Sequence, residues 1–157
     1  MPTDSADILH LLVEHELALK HLYQACEAVF GRQEELWRSL AAEEQVHADL
    51  LRGLSADPDL DRWLGRADRL RAQAITSSLE YVAAQTSRVQ QGGLTQLQAL
   101  AVSKDLEDAF LDRQLLLPPA GGFEGIGAVL EVLRADTERH RLTVAEALET
   151  EKRPQSH

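Results

Sequence analysis

Apolar residues recur three and four positions apart along most of this chain, the spacing of one face of an α-helix. After Thr3-Asp4-Ser5, any of which can cap a helix N-terminus, Leu9, Leu12, Val13, Leu19, Tyr23 and Phe30 form a first stripe that ends near Gly31. A second follows at once: Leu36, Trp37, Leu40, Ala41, Ala48, Leu51 and Leu54, stopping around Ser55-Ala56-Asp57-Pro58. These predict helices over about 4–30 and 32–55. A third helical stretch, 59–90, carries Leu60, Trp63, Leu64, Ala67, Leu70, Ala74, Ile75, Leu79 and Val82 and breaks at Gly92-Gly93. A fourth helix is predicted over 94–117, then a PPAGG loop at 118–122 and a last helix over about 123–150, with 151–157 as a frayed tail. No segment alternates as a strand does.

The turn at Gly31 is so short that the first two helices must run antiparallel, and the last two are joined as briefly at 118–122. Between the pairs lies a stretch long enough to run the length of a bundle. The expectation is a single all-α domain over 1–157, a four-helix bundle made of two antiparallel helical hairpins joined by a long helical crossover.

Some polar residues interrupt the apolar stripes. Glu16 lies on the first, and Glu44 and His47, three apart and so on one face, lie on the second between Leu40 and Leu51. In an antiparallel hairpin that turns near Gly31, Glu16, Glu44 and His47 stand at one height. The second hairpin repeats the arrangement. Glu107 sits among Leu97, Leu100, Phe110, Leu111 and Leu117, and His140 among Ile126, Leu130, Leu133, Val144 and Leu148, level with each other about the 118–122 turn. The Glu-to-His separation is 31 residues in the first hairpin (16 to 47) and 33 in the second (107 to 140), an internal two-fold repeat. Buried ionised groups are costly unless paired, protonated or bound to metal, and oxygen and nitrogen donors meeting at one level suit Fe(II), Mn(II) or Zn(II). A lone Glu-x-x-His in a chain with 26 acidic residues and 6 His is usually a solvated helix face; the level matching and the repeat set this one apart. His10, His15, His21 and His157 lack that support and are expected at the surface. Glu43 is turned about 100° from the inward face and is expected in solvent; Asp136 and Glu138 are turned off that face by the same angle, so neither is an obvious substitute for a ligand at 137.

Composition narrows the classes. The 157 residues are 44% hydrophobic but only 4% aromatic, with a net charge of −10, which disfavours nucleic acid and anionic membranes as partners. Cys26, the single cysteine, excludes an internal disulfide or a cysteine-built metal site, and fits a reducing compartment. Neither a signal peptide nor a membrane-spanning run is visible, so a cytoplasmic protein is expected.

At these residues the chain resembles the rubrerythrin branch of the ferritin-like superfamily, over nearly its whole length. DILHLLVEHELALKHLY is similar to that family's first metal helix and LAAEEQVHADLL to its Glu-x-x-His helix. LTQLQALAVSKDLEDAFLDRQLL resembles the third metal helix, and VLRADTERHRLTVAEAL the fourth. The resemblance implies a ferritin-like bundle with two irons bridged by carboxylates, acting on peroxide or dioxygen or storing iron. It implies Glu16 and Glu107 as terminal ligands, Glu44 as the bridging carboxylate, His47 and His140 as nitrogen donors, and Tyr23 as a hydrogen-bond partner behind them. The departures are specific. The second Glu-x-x-His has Thr137 in place of its Glu, the tyrosine expected seven residues after Glu107 is Gln114, and one cysteine cannot supply a rubredoxin-like domain.

Two readings follow. In one, iron or manganese is held in a degenerate dimetal site, one ion per site, by a peroxidase- or oxidase-type oxidoreductase or an iron-handling protein, a homodimer or higher homo-oligomer drawing on an unidentified electron donor. In the other, the bundle has lost its metal and serves as a dimerisation or interaction module, with Lys20 and Lys104 salt-bridging the glutamates of an empty site. A ferritin storage cage fits less well, because that branch has a different crossover and a shorter terminal helix.

Overall fold

The structure is a computed structural model and describes residues 4–64, 69–112 and 124–153. Every regular element among them is helical: α1 (Ser5–Val29), α2 (Glu34–Arg52), α3 (Leu60–Leu64), α4 (Arg69–Gln90), α5 (Gln96–Asp112) and α6 (Glu124–Lys152). The sequence expectations for Thr3, Ala67, Gln114, Leu117, the 118–122 loop, His157 and the side chain of Leu70 fall outside the described residues.

Local chemistry sets the helix ends. Asp4 caps α1, its carboxylate accepting from the Asp7 N–H at 2.8 Å while Asp7 reaches back to the Asp4 N–H. Thr95 and Gln98 form the same reciprocal cap on α5. α4 closes in a Schellman motif: the Gly93 N–H donates to the Arg88 carbonyl at 2.7 Å and the Gly92 N–H to that of Val89 at 3.1 Å. Gly92 takes the left-handed φ of 75° that this ending requires. In the α1–α2 turn the left-handed residue is Gln33, with φ 62°, rather than Gly31.

Cross-helix pairs define the packing. Glu27 with Arg38, Lys20 with Gln45 and Glu16 with His47 mark α1 and α2 as antiparallel, one number rising as the other falls. Gln96 with Glu151 and Glu107 with His140 do the same for α5 and α6. The two hairpins meet where α2 faces α6 (Glu43 with Arg139, His47 with Asp136) and α1 faces α5 (Tyr23 with Glu107). The result is a helical bundle. The segment read as one stretch over 59–90 contains α3 and α4; α4 packs along α1, where His15 Nε2 lies 2.7 Å from the Ser78 hydroxyl.

The core falls into two apolar blocks. One gathers Ile8, Leu9, Leu12 and Val13 of α1 with Ala48 and Leu51 of α2, Phe110 of α5, and Ile126, Leu130 and Leu133 of α6. The other gathers Leu19, Leu22, Tyr23 and Cys26 with Trp37, Leu40 and Ala41, Ala99, Leu100 and Leu106, and Val144 and Leu148. On each of these four helices buried polar residues lie between the blocks, at 15–16, 44 and 47, 107, and 137 and 140. A polar layer therefore crosses the bundle at mid-height with hydrocarbon above and below it. The stripes read from sequence are largely buried, with Leu97 turned outward instead.

Candidate metal centre

That layer holds Glu16, Glu44, His47, Glu107, Thr137 and His140, each 3% exposed or less. Glu44 belongs to two clusters at once. Its carboxylate, with Glu16 and His47, offers three ligand atoms within 4.8 Å of one another, and with Glu107 and His140 it offers three more. Ligands about 2.1 Å from one ion stand at most about 4.2 Å apart, and the histidine-to-carboxylate separations of 3.1–3.8 Å within the clusters fall inside that span. The five residues read from sequence as ligands are brought together, four helices each contributing at least one.

Each histidine is held from outside by a carboxylate of the opposite hairpin. His47 Nε2 lies 2.9 Å from Asp136 Oδ2, and His140 Nε2 lies 2.5 Å from Glu43 Oε2. Partial burial pushes Glu43 and Asp136 up, but their histidine and Arg139 partners outweigh it and hold both below the usual carboxylate range. An ionised carboxylate only accepts, so each Nε2 carries the hydrogen and each Nδ1 turns toward the cluster. His47 Nδ1 is 3.8 Å from Glu16 Oε2 and 3.6 Å from Glu44 Oε2. His140 Nδ1 is 3.1 Å from Glu44 Oε1 and 3.8 Å from Glu107 Oε1, yet it is fully buried and its approach to neither has hydrogen-bond geometry. A buried ring nitrogen left without a hydrogen bond among carboxylates is placed as a metal ligand is.

In the metal-free protein, protons do the work of a cation. Burial first, then the neighbouring Glu44, pushes Glu16 well up and Glu107 up to about 8. Burial opposes charge on His47, but Glu16 and Glu44 outweigh it and raise the imidazole to about 11. Glu44 goes the other way. Burial alone would raise it, but Glu16, His140 and His47 gather on it and hold it well below the usual range. The Tyr23 hydroxyl, itself pushed up by burial and then by Glu107, donates to Glu107 Oε1 at 2.6 Å, the position expected of it.

Several expectations are corrected here. Glu43 is not a solvated bystander, and Asp136, no ligand of the cluster, is engaged as well: a side chain 100° off the inward face still spans the groove to a histidine on the facing helix. His15 is not at the surface; it is 3% exposed, stacked on Phe110 with ring centroids 5.3 Å apart. Lys20 and Lys104 do not turn onto the glutamates, pairing instead with Gln45 at 2.7 Å and Asp108 at 2.8 Å. Thr137 is buried at the place that Glu44 holds in the first hairpin, and its hydroxyl donates to the Leu133 carbonyl of its own helix at 2.7 Å. It adds no charge to the site. Comparison with protein-family models, with curated proteins and with solved structures found no match. No helix among the described residues is long and apolar enough to cross a membrane.

Proposed function

We propose that this chain is a rubrerythrin-like protein of the ferritin-like type, binding iron or manganese in a degenerate dimetal carboxylate site and acting in peroxide or dioxygen reduction or in iron handling. The observation that carries the reading is His140 Nδ1, buried without a hydrogen bond between two carboxylates, Glu44 at 3.1 Å and Glu107 at 3.8 Å, while its outer nitrogen is fixed by Glu43. The two antiparallel hairpins, joined through α3 and α4, agree with the one-crossover bundle of that superfamily.

Glu16 and His47 would hold an ion on one side, Glu107 and His140 on the other, with Glu44 shared. Such an ion would supply electron transfer toward peroxide or dioxygen. The chain's own residues prepare for it. Glu44, ionised in the metal-free state, gives an entering cation its first anion; Glu16 and Glu107 give up protons as it binds. Tyr23 orients Glu107, and the apolar blocks on either side keep bulk water out. With Thr137 in place of the second bridge, three carboxylates against two divalent ions leave an uncompensated positive charge in a buried site. Occupancy near one ion per chain follows.

The alternative, a bundle that has lost its metal and serves in dimerisation or protein interaction, draws on that same Thr137. It expected Lys20 and Lys104 inside the cluster, and they lie outside it. Anaerobic loading with Fe(II), followed by peroxide and the rate at which peroxide is consumed, tests the redox reading. Consumption no faster than for free Fe(II) contradicts it.

A further inference from the structure

Glu43 and Asp136 come from opposite hairpins, and one guanidinium holds both. Arg139 Nη2 donates to Glu43 Oε1 at 2.6 Å and to Asp136 Oδ1 at 3.0 Å, with Nη1 3.4 Å from Glu43 Oε2. Asp136 thus gives one oxygen to Arg139 and the other to His47; Glu43 gives Oε1 to Arg139 and shares Oε2 with His140. The planar fork of an arginine suits this role: both Nη groups meet Glu43 and fix its plane, while Nη2 also reaches Asp136.

The internal repeat sharpens the point. Aligned on their histidines, Glu43, Glu44, Val46 and His47 correspond to Asp136, Thr137, Arg139 and His140. The place of Arg139 is taken in the first hairpin by Val46, which is 54% exposed and has no charge to offer. The two halves of the repeat therefore depend on a single arginine, carried by the hairpin that lacks the bridging glutamate. Without it, two anions from α2 and α6 face each other with only the buried histidines to separate them.

We propose that Arg139 is the positioning residue for both histidines: by fixing Glu43 and Asp136 together it sets the ring orientation of His47 and His140 and keeps each Nδ1 turned toward the cluster. The proposal rests on the metal-binding reading for its consequence, and on the hydrogen-bond network alone for its geometry. The test is Arg139→Gln, with Mn(II) affinity measured by chelator competition and the imidazole nitrogens followed by NMR in the metal-free protein. Partners of metal-bound histidines typically contribute 10–100-fold to affinity, and Arg139 acts one step further out, so a loss of about tenfold is expected. Imidazole nitrogen signals of both histidines are expected to shift. Arg38→Gln is the control: Arg38 is similarly exposed and holds Glu27 and Glu34, far from the polar layer, so affinity and spectra should stay as in the wild type. In a Glu43→Gln, Asp136→Asn background, adding Arg139→Gln should cost less than about twofold, because its route to the histidines is already cut.

An Arg139→Gln variant with wild-type affinity and unshifted imidazole signals overturns the proposal, as does a loss that is undiminished in the double-variant background. If the wild-type chain binds no Mn(II), the metal reading fails, and the imidazole spectra of Arg139→Gln still decide the positioning claim.

Discussion

Glu44→Gln is the sharpest perturbation of the site, because Glu44 is the one carboxylate common to both clusters. The change keeps the volume and removes the charge. It takes an ionised oxygen from 3.6 Å of His47 Nδ1 and from 3.1 Å of His140 Nδ1 together, so neither half-site survives intact. The size of the effect follows from linkage. Free metal at about 100 times its Kd stabilises the folded state by about 2.7 kcal/mol. A chain of 157 residues unfolds with an entropy of about 0.33 kcal/mol/K, so that stabilisation raises Tm by about 8 °C. Anaerobic thermal melts with and without Mn(II) should show that rise in the wild type and less than about 1 °C in Glu44→Gln. Glu16→Gln and Glu107→Gln, each confined to one cluster, should fall between. In the metal-free protein, Glu44→Gln leaves two buried histidines without their shared anion and should cost about 3–5 kcal/mol. A Glu44→Gln variant that keeps the full metal-induced shift would refute the shared-ligand geometry. One that is neutral or stabilising without metal would favour the interaction-module reading.

Two further outcomes follow from the same layer and a third from the apolar block beside it. In the metal-free protein, Glu107 is raised to about 8 and Glu16 is raised well above 4.5, so both hold protons when folded that they lose when unfolded. The Glu107 contribution is complete below pH 4.5 and is lost as pH rises through about 8, and Glu16, raised in the same direction, adds to the fall, so Tm should fall from pH 5 to 8; the loss is about 1.4 kcal/mol per pH unit for each group titrating only when unfolded. A flat or rising Tm across that interval contradicts the assignment. Thr137→Glu should raise bound Mn(II) from about one ion per chain to about two, at a cost of about 2–3 kcal/mol in metal-free stability from a larger, charged side chain in a packed layer; unchanged stoichiometry counts against Thr137 as the missing bridge. Cys26, fully buried and with its thiol pushed up to about 12 by that burial, should react with iodoacetamide at pH 8 at least about 100-fold more slowly folded than in urea. Comparable rates would mean that the block around Trp37 and Cys26 opens readily.

What the sequence made legible was periodicity combined with short turns. The α1–α2 connection is short enough to fix the register of Glu16 against Glu44 and His47, and the repeat carried the same logic to Glu107 and His140. Two kinds of residue escaped. Glu43 and Asp136 were judged by the angle each makes on its own helix, which ignores the reach of a carboxylate across the groove to a histidine on the facing helix; only the packing of α2 on α6 reveals it. His15 was judged by a single inward stripe, but α1 is buried on two sides, by α2 and by α4. The signal was present: Ile8, His15 and Leu22 lie seven apart, beside the stripe that was read, and all three are buried. Thr137 was legible as a departure, whereas the use of its hydroxyl by the Leu133 carbonyl was not, since any buried helical threonine has that option.

The central claim, that this polar layer is a metal site and not a proton-filled remnant, is tested most directly by elemental analysis. The wild-type chain and Glu44→Gln are loaded anaerobically with Fe(II) or Mn(II), desalted, and their metal counted per chain. About one tightly held ion in the wild type and none in the variant is the predicted result; a wild-type content near zero contradicts the account.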